Sequence, residues 1–433
     1  MKKIVIIVLA LALLVPVIAS VQMAQPAVAG EVKSDKERIT SPGVLTDEQA
    51  LLVEGSSAFA FELYEALREK DDNKDDDLFY SPYSILLALA MTYAGANGET
   101  AQQMAETLHF ILEQAKLHPA FNWLDAELAK RGQGAQGKDG EGFRLNIVNA
   151  IWGQKGYEFL PAFLDVLAEN YGAGLRILDF ITEVEKSRLA INDWVSEQTE
   201  DRIKDLIPQG AINELTRLVL TNAIYFNAAW AYPFYEEMTA DGPFYLLDGG
   251  EISVPMMKQT ESFGYAEGQG YQALELLYDG DELSMVILLP EAGNFEAFEQ
   301  GLQAQQISDI INGLQLTRVA LTMPKFEFKS QFSLKDILSD MGMPIAFSPD
   351  EADFFGMTGS RELFISDVIH KAFVAVDEAG TEAAAATAVV VGTTSIPVEP
   401  AVEVTIDRPF IFLIRDIETG AILFVGRVLN PGA

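Results

Sequence analysis

The chain has 433 residues, 49% of them apolar and 22% charged, which is globular composition with ample material for a core. Thirty Lys and Arg against 64 Asp and Glu give a net charge of −34, which repels phosphate backbones and points away from a nucleic-acid binder, a heparin binder or a polybasic membrane adaptor. There is no cysteine, and the histidines are His109, His118 and His370 alone, so disulfides, thiolate chemistry, Fe–S clusters and His-rich metal sites are excluded too.

Lys2 and Lys3 precede an apolar run over residues 4–19, and Ala27-Val28-Ala29 supplies small residues at a cleavage-like position. This is the layout of a secretory signal peptide cut after Ala29. A membrane anchor is the weaker alternative, because the run falls short of about 20 residues and Pro16 interrupts it. Residues 30–46, with Ser41-Pro42-Gly43, read as a flexible lead-in to a single domain over residues 47–433.

Residues 48–70 carry Leu51, Phe59, Phe61, Leu63 and Leu67 at helical spacing. Asp71, Asn73 and Asp75 imitate the first ligands of a calcium loop, but Asp76 stands where Gly is needed and Pro82 where a bidentate Glu is needed, so this is a solvated turn. An apolar helix follows over residues 85–94, with Pro82 near its start, where a missing N–H costs nothing. Residues 132–138 nearly match a phosphate loop. Asp139 replaces the required Ser or Thr, and a surface loop is the simpler reading.

Residues 144–152 read as a strand, 163–171 and 189–199 as helices, and 217–226 as a strongly apolar strand. Later strands are expected over residues 271–278, 283–289, 319–328, 373–376, 402–406, 410–415 and 421–428. Helices gathered early and strands late predict an α+β domain with large, mostly antiparallel sheets.

One segment fits no ordinary element. Between Glu382 and Glu399 lie 16 residues without a charge. Ala383 to Ala386 favour helix and Val389 to Val391 favour strand. Such a tract is buried, aggregates, or waits to pair with something.

The segment, with Glu378-Ala-Gly-Thr-Glu382 followed by small residues, resembles the hinge and reactive centre loop of the serpin family, in an exported, prokaryotic-type form. Other motifs occur in the same order along nearly the whole chain: Phe79-Tyr80-Ser81-Pro82, Asn222-Ala-Ile-Tyr-Phe226 with Trp230, Val254-Pro255-Met256-Met257, Met323-Pro324-Lys325-Phe326, His370-Lys371-Ala372, Asp407-Arg408-Pro409-Phe410 and Leu423-Phe424 with Gly426. Asp77 stands where the family carries Asn, a departure confined to a turn.

The resemblance implies three β-sheets, eight or nine helices, and a loop over about residues 378–402 that serves as bait for a serine protease. Cleavage forms an acyl-enzyme, and the severed loop then inserts as a new strand of the largest sheet. The resemblance assigns the hinge to Glu378, Gly380, Thr381, Ala383, Ala384, Ala385 and Ala386. It places a gating cluster, the shutter, at Ser81, Ser84, Asn222 and His370, and the top of the sheet, the breach, at Trp230 and Lys325, with Lys325 paired to Glu378. Counting 16 residues past Glu378 sets the reactive bond at Thr394-Ser395, to within a few residues.

Alternate residues of an inserted strand face inward. Thr381, Ala383, Ala385, Thr387, Val389 and Val391 are uncharged on that parity, while Glu382 faces out. This favours an inhibitor over the alternative, a non-inhibitory serpin acting as a carrier or structural protein. No Arg or Lys lies between Lys371 and Arg408, which points away from trypsin-like targets toward subtilisin-like or elastase-like ones. The expected molecule is a secreted monomer, extracellular or periplasmic, with no cofactor, no metal, no nucleic-acid or heparin partner, and no stable membrane insertion. Enzymatic activity is not expected, because no Gly-x-Ser-x-Gly elbow accompanies the histidines.

Overall fold

A computed structural model describes residues 30–70, 73–133, 135, 144–381 and 400–432. The chain begins with β1 (Gly30–Val32), α1 (Thr46–Arg68), β2 (Leu78–Tyr80), α2 (Pro82–Tyr93), α3 (Gly98–Thr107) and α4 (Gln114–Leu128). Next come β3 (Arg144–Gln154), α5 (Pro161–Tyr171), β4 (Leu175–Leu178) and α6 (Val184–Gln198). The strand-rich middle holds β5 (Leu218–Ala229), β6 (Ala240–Tyr245), β7 (Glu251–Gly268), β8 (Tyr271–Leu277) and β9 (Leu283–Pro290). Helices α7 (Phe295–Gln300) and α8 (Ala304–Gly313) lead to β10 (Gln315–Pro324) and β11 (Phe326–Ser333). Then α9 (Lys335–Met341) and α10 (Phe355–Thr358) precede β12 (Ile365–Val376), the two-residue β13 (Gly380–Thr381), β14 (Val402–Thr405), β15 (Phe410–Asp416) and β16 (Ile422–Val428).

These strands form two hydrogen-bonded sheets. One has seven strands in the order β1-β4-β3-β5-β13-β12-β11; the other has nine, β14-β10-β7-β8-β9-β15-β16-β2, with β6 pairing β7. The third sheet implied by the resemblance is the β14-β10-β7-β6 end of the second path. It is continuous with the rest because the 18-residue β7 pairs β6 along its first part, β10 along its middle and β8 at its end. The architecture is α+β, and the described helices number ten once the four-residue α10 is counted.

Burial explains the strongest elements. All 12 residues of β5 are buried, because the sheet is covered on both faces, and its sequence is accordingly a near-continuous apolar run. On one face, α2 is buried along its whole length, capped where the Ser81 hydroxyl accepts from the Ser84 N–H at 3.1 Å. On the other, α6 and the segment after it bring Ile191, Val195, Ile203, Leu206 and Ile207 against Val219, Ala223 and Ile369. Phe79 stacks on Phe424, with centroids 4.9 Å apart, at the heart of the main core.

Two expectations are corrected. The single strand expected over residues 319–328 is β10 and β11, which belong to different sheets and part at Lys325. Residues 30–46 are not a loose lead-in: β1 pairs antiparallel with β4, Ser34 donates to Asp165 at 2.6 Å, and Arg38 binds Asn122 and Asp125 at 2.8 and 2.6 Å.

Candidate functional site

β5 and β12 lie side by side in parallel from the Leu218–Ile365 row to the Tyr225–Phe373 row. Beyond that row they diverge, and β13 occupies the space between them, antiparallel to both. Gly380 faces Ala229, and Thr381 faces Ala228 on one side and Val376 on the other. The chain reverses into this position through a tight turn. The Asp377 carboxylate accepts from the N–H groups of Ala379 and Gly380 at 2.8 and 3.2 Å, and the Asp377 N–H donates to the Gly380 carbonyl at 2.9 Å.

Glycine is required at 380 by contact, not by φ. A Cβ there would lie 2.7 Å from Ala229 Cα and collide with the Ala228 carbonyl. Thr381 is 1% exposed, and its hydroxyl sits 2.8 Å from the Tyr278 hydroxyl.

Trp230 and Lys325 meet the turn from opposite sides. The Trp230 backbone N–H donates to the Ala379 carbonyl at 2.8 Å and its indole to the Asp377 carbonyl at 3.0 Å. Lys325 Nζ lies 2.7 Å from Glu378 Oε2, and the Thr239 hydroxyl donates to Oε1 at 2.7 Å. Burial by itself would raise the Glu378 pKa; the hydrogen bonds from Lys325 and Thr239 outweigh it and hold the carboxyl below its ordinary value.

Lower in the same sheet, one register row crosses three strands: Asn149 on β3, Asn222 on β5 and His370 on β12. The Ser81 N–H donates to His370 Nε2 at 3.3 Å, so the ring proton is on Nδ1, which donates to Asn222 Oδ1. The Asn222 amide donates to the Ser84 hydroxyl at 2.6 Å and to Asn149 Oδ1 at 2.5 Å. The Ser84 hydroxyl in turn donates to Asn149 Oδ1 at 3.1 Å. Burial pushes the His370 pKa down to about 3, so the ring is neutral. The cluster ties β3, β5, β12 and the start of α2 together at the seam between the two parallel strands.

This constellation is a sheet with an opening at its top, a strand seed seated in the opening, and a polar bridge across the seam below. A family model described as "Serpin (serine protease inhibitor)" matches residues 54–431. The chain belongs to the serpin family. Among similar proteins, the leukocyte elastase inhibitor of Xenopus laevis is 40% identical over 380 residues, covering 86% of this serpin and 97% of the relative. An uncharacterised serpin-like protein of Thermococcus kodakarensis is 41% identical over 383 residues, covering 88% and 86%. The crystal structure of tengpin, a thermophilic serpin in its native state, superposes with a TM-score of 0.79 at 27% identity, covering 93% of this chain and 99% of tengpin.

The structure thus brings Ser81, Ser84, Asn222 and His370 into one cluster and Trp230, Lys325, Glu378, Gly380 and Thr381 into another. Ala383, Ala384, Ala385, Ala386, Thr394 and Ser395 lie outside the described residues. Asn149, Thr239 and Tyr278 belong to the clusters but were not singled out by the sequence. Asn149 carries one signal, an amide between Val148 and Ala150; Tyr278 carries none, since its partner is 103 residues away. The remaining histidines are structural in this serpin. His109 Nε2 pairs with Glu62 at 2.8 Å, and the buried His118 contacts the Tyr171 hydroxyl at 2.7 Å. Asp77, the departure from the family pattern, accepts from the N–H groups of Leu429 and Asn430 and fastens the carboxy-terminal chain.

Proposed function

We propose that this serpin is a suicide-substrate inhibitor of serine proteases, not a catalyst or a carrier. The observation that carries this reading is the seating of Gly380 and Thr381 between β5 and β12. A protease serine attacks the carbonyl of Thr394, the amine of Ser395 leaves, and the protease is held as an ester on the new carboxyl end. The freed tract then continues the strand that β13 begins.

The driving force follows from topology. Parallel pairing is slightly weaker per residue than antiparallel, and β5 and β12 are a parallel pair. A strand inserted between them with the direction of β13 replaces one parallel ladder with two antiparallel ones. At roughly 1 kcal/mol net per added hydrogen bond, a gain on the order of 10 kcal/mol is available. The esterified protease is carried along the sheet, and its triad, which works only within tight geometric limits, stalls before deacylation.

The register of the seed also supports the reading. Thr387 is six residues beyond Thr381, Asn222 is six before Ala228, and His370 is six before Val376. An inserted strand in this register carries Thr387 between Asn222 and His370, on the inward parity, and offers a hydroxyl where their mutual hydrogen bond is lost.

The target is subtilisin-like or elastase-like, because the tract lacks Lys and Arg and carries Val and Thr near the cut; the elastase inhibitor among the relatives agrees with this. The protein works outside the cell membrane as a monomer after removal of residues 1–29, and needs no cofactor. The test is incubation with subtilisin or with elastase, followed by denaturing electrophoresis. A higher band that survives SDS is expected. Clean cleavage near residue 394 with full protease activity would overturn the proposal and favour a carrier.

A further inference from the structure

Tyr278 follows the last residue of β8, in the nine-stranded sheet, and its hydroxyl meets Thr381 in the seven-stranded one. It is thus a direct hydrogen bond between the hinge and the layer beneath it. Its ring and backbone also have contacts outside residues 377–381. Trp230 stacks on one face at 4.7 Å with planes 10° apart, and Phe226 meets the ring edge-on at 5.1 Å and 76°. The Tyr278 N–H donates to the Leu283 carbonyl at 3.0 Å, and its carbonyl accepts from Asp281 at 2.9 Å.

Both hydroxyls are buried, and among the described residues neither has another hydrogen-bond partner. Among the described residues each hydroxyl finds its partner in the other, and a buried hydroxyl without a partner is costly. A slip by one residue would invert the facing of the whole strand and turn the charged Glu382 toward Tyr278. The pair therefore disfavours that slip as well as stabilising the seat.

We infer that Tyr278 is a positioning residue for inhibition: its hydroxyl seats Thr381 and fixes the register in which the cleaved loop inserts. The inference rests on the proposed inhibitory reading, in which insertion races deacylation. A seed already in register shortens that race. Without the Tyr278 hydroxyl, insertion starts later or one residue out, and more acyl-enzyme is hydrolysed before the protease is stalled.

The test measures the stoichiometry of inhibition against subtilisin for wild type, Tyr278→Phe, Thr381→Ala, the double variant and Thr381→Ser. Tyr278→Phe keeps the ring between Trp230 and Phe226, so the fold is retained. The inhibitor consumed per protease should rise several-fold in Tyr278→Phe and in Thr381→Ala. It should rise no further in the double variant, and it should stay near the wild-type value in Thr381→Ser, which keeps a hydroxyl. A purely structural role for Tyr278 would instead lower the melting temperature with unchanged stoichiometry, and that result, or additive effects in the double variant, would overturn the inference. Absence of an SDS-stable complex in the wild type would instead contradict the inhibitory reading itself, so the two failures are separable.

Discussion

His370 and Asn222 face each other across the β5–β12 seam, and the imidazole Nδ1–H of the first donates to the amide oxygen of the second. The bond runs across the line along which the two strands part in the proposed insertion, in a neutral, buried site. Protonating the ring there adds a charge among groups that have no carboxylate to meet it: Ser81, Ser84, Asn149, Asn222 and, stacked on the ring, Phe332.

That arrangement fixes a pH dependence. Burial depresses the pKa of His370 to about 3 and of His118 to about 4, both from 6.5. Between roughly pH 6.5 and 5 the unfolded chain takes up protons at these rings while the folded one does not, so stability falls as the pH falls. Each ring contributes up to about 1.4 kcal/mol per pH unit in that window, above the range where most carboxylates titrate. Unfolding midpoints of the intact protein at pH 7, 6 and 5 should show this decline, and His370→Gln should remove about half of it. An unchanged slope in the variant would contradict the assignment.

Thr381→Arg should convert the inhibitor into a substrate. The position is buried against Tyr278, and a guanidinium there is an unpaired buried charge. Titration against subtilisin should show loop cleavage continuing while protease activity persists, with the stoichiometry raised at least about tenfold. Wild-type stoichiometry would mean that the seat is not on the path to inhibition.

Thr387→Val separates the inserted state from the intact one. If Thr387 arrives between Asn222 and His370, loss of its hydroxyl leaves buried polar groups short of a partner only after cleavage, at a cost of about 1–3 kcal/mol. Melting curves of intact variant and wild type should coincide, whereas the cleaved variant should melt below the cleaved wild type. Equal melting of the two cleaved forms would place another residue at that row.

The sequence was readable where burial is continuous and opaque where contacts are remote. β5 announces itself because both of its faces are covered, and α2 because every residue in it is buried. The break at Lys325 shows in the pattern only as a change of phase, from Val319, Leu321 and Met323 in β10 to Phe326 in β11, where the chain changes sheets. Residues 30–46 look loose because their partners, Asp165, Asn122 and Asp125, lie far along the chain. The shutter and hinge residues came from a family resemblance carried by local motifs. Asn149 and Tyr278 needed the register across strands, which no local spacing encodes.

The most direct measurement is calorimetry of the protein before and after the loop is cut near residue 394 by a protease used in trace amount. A tract that moves from its initial position into two antiparallel ladders should raise the melting temperature by on the order of 10 °C or more. Coincident melting of the cut and uncut forms would contradict the account, because the severed strand would then have gained no pairing.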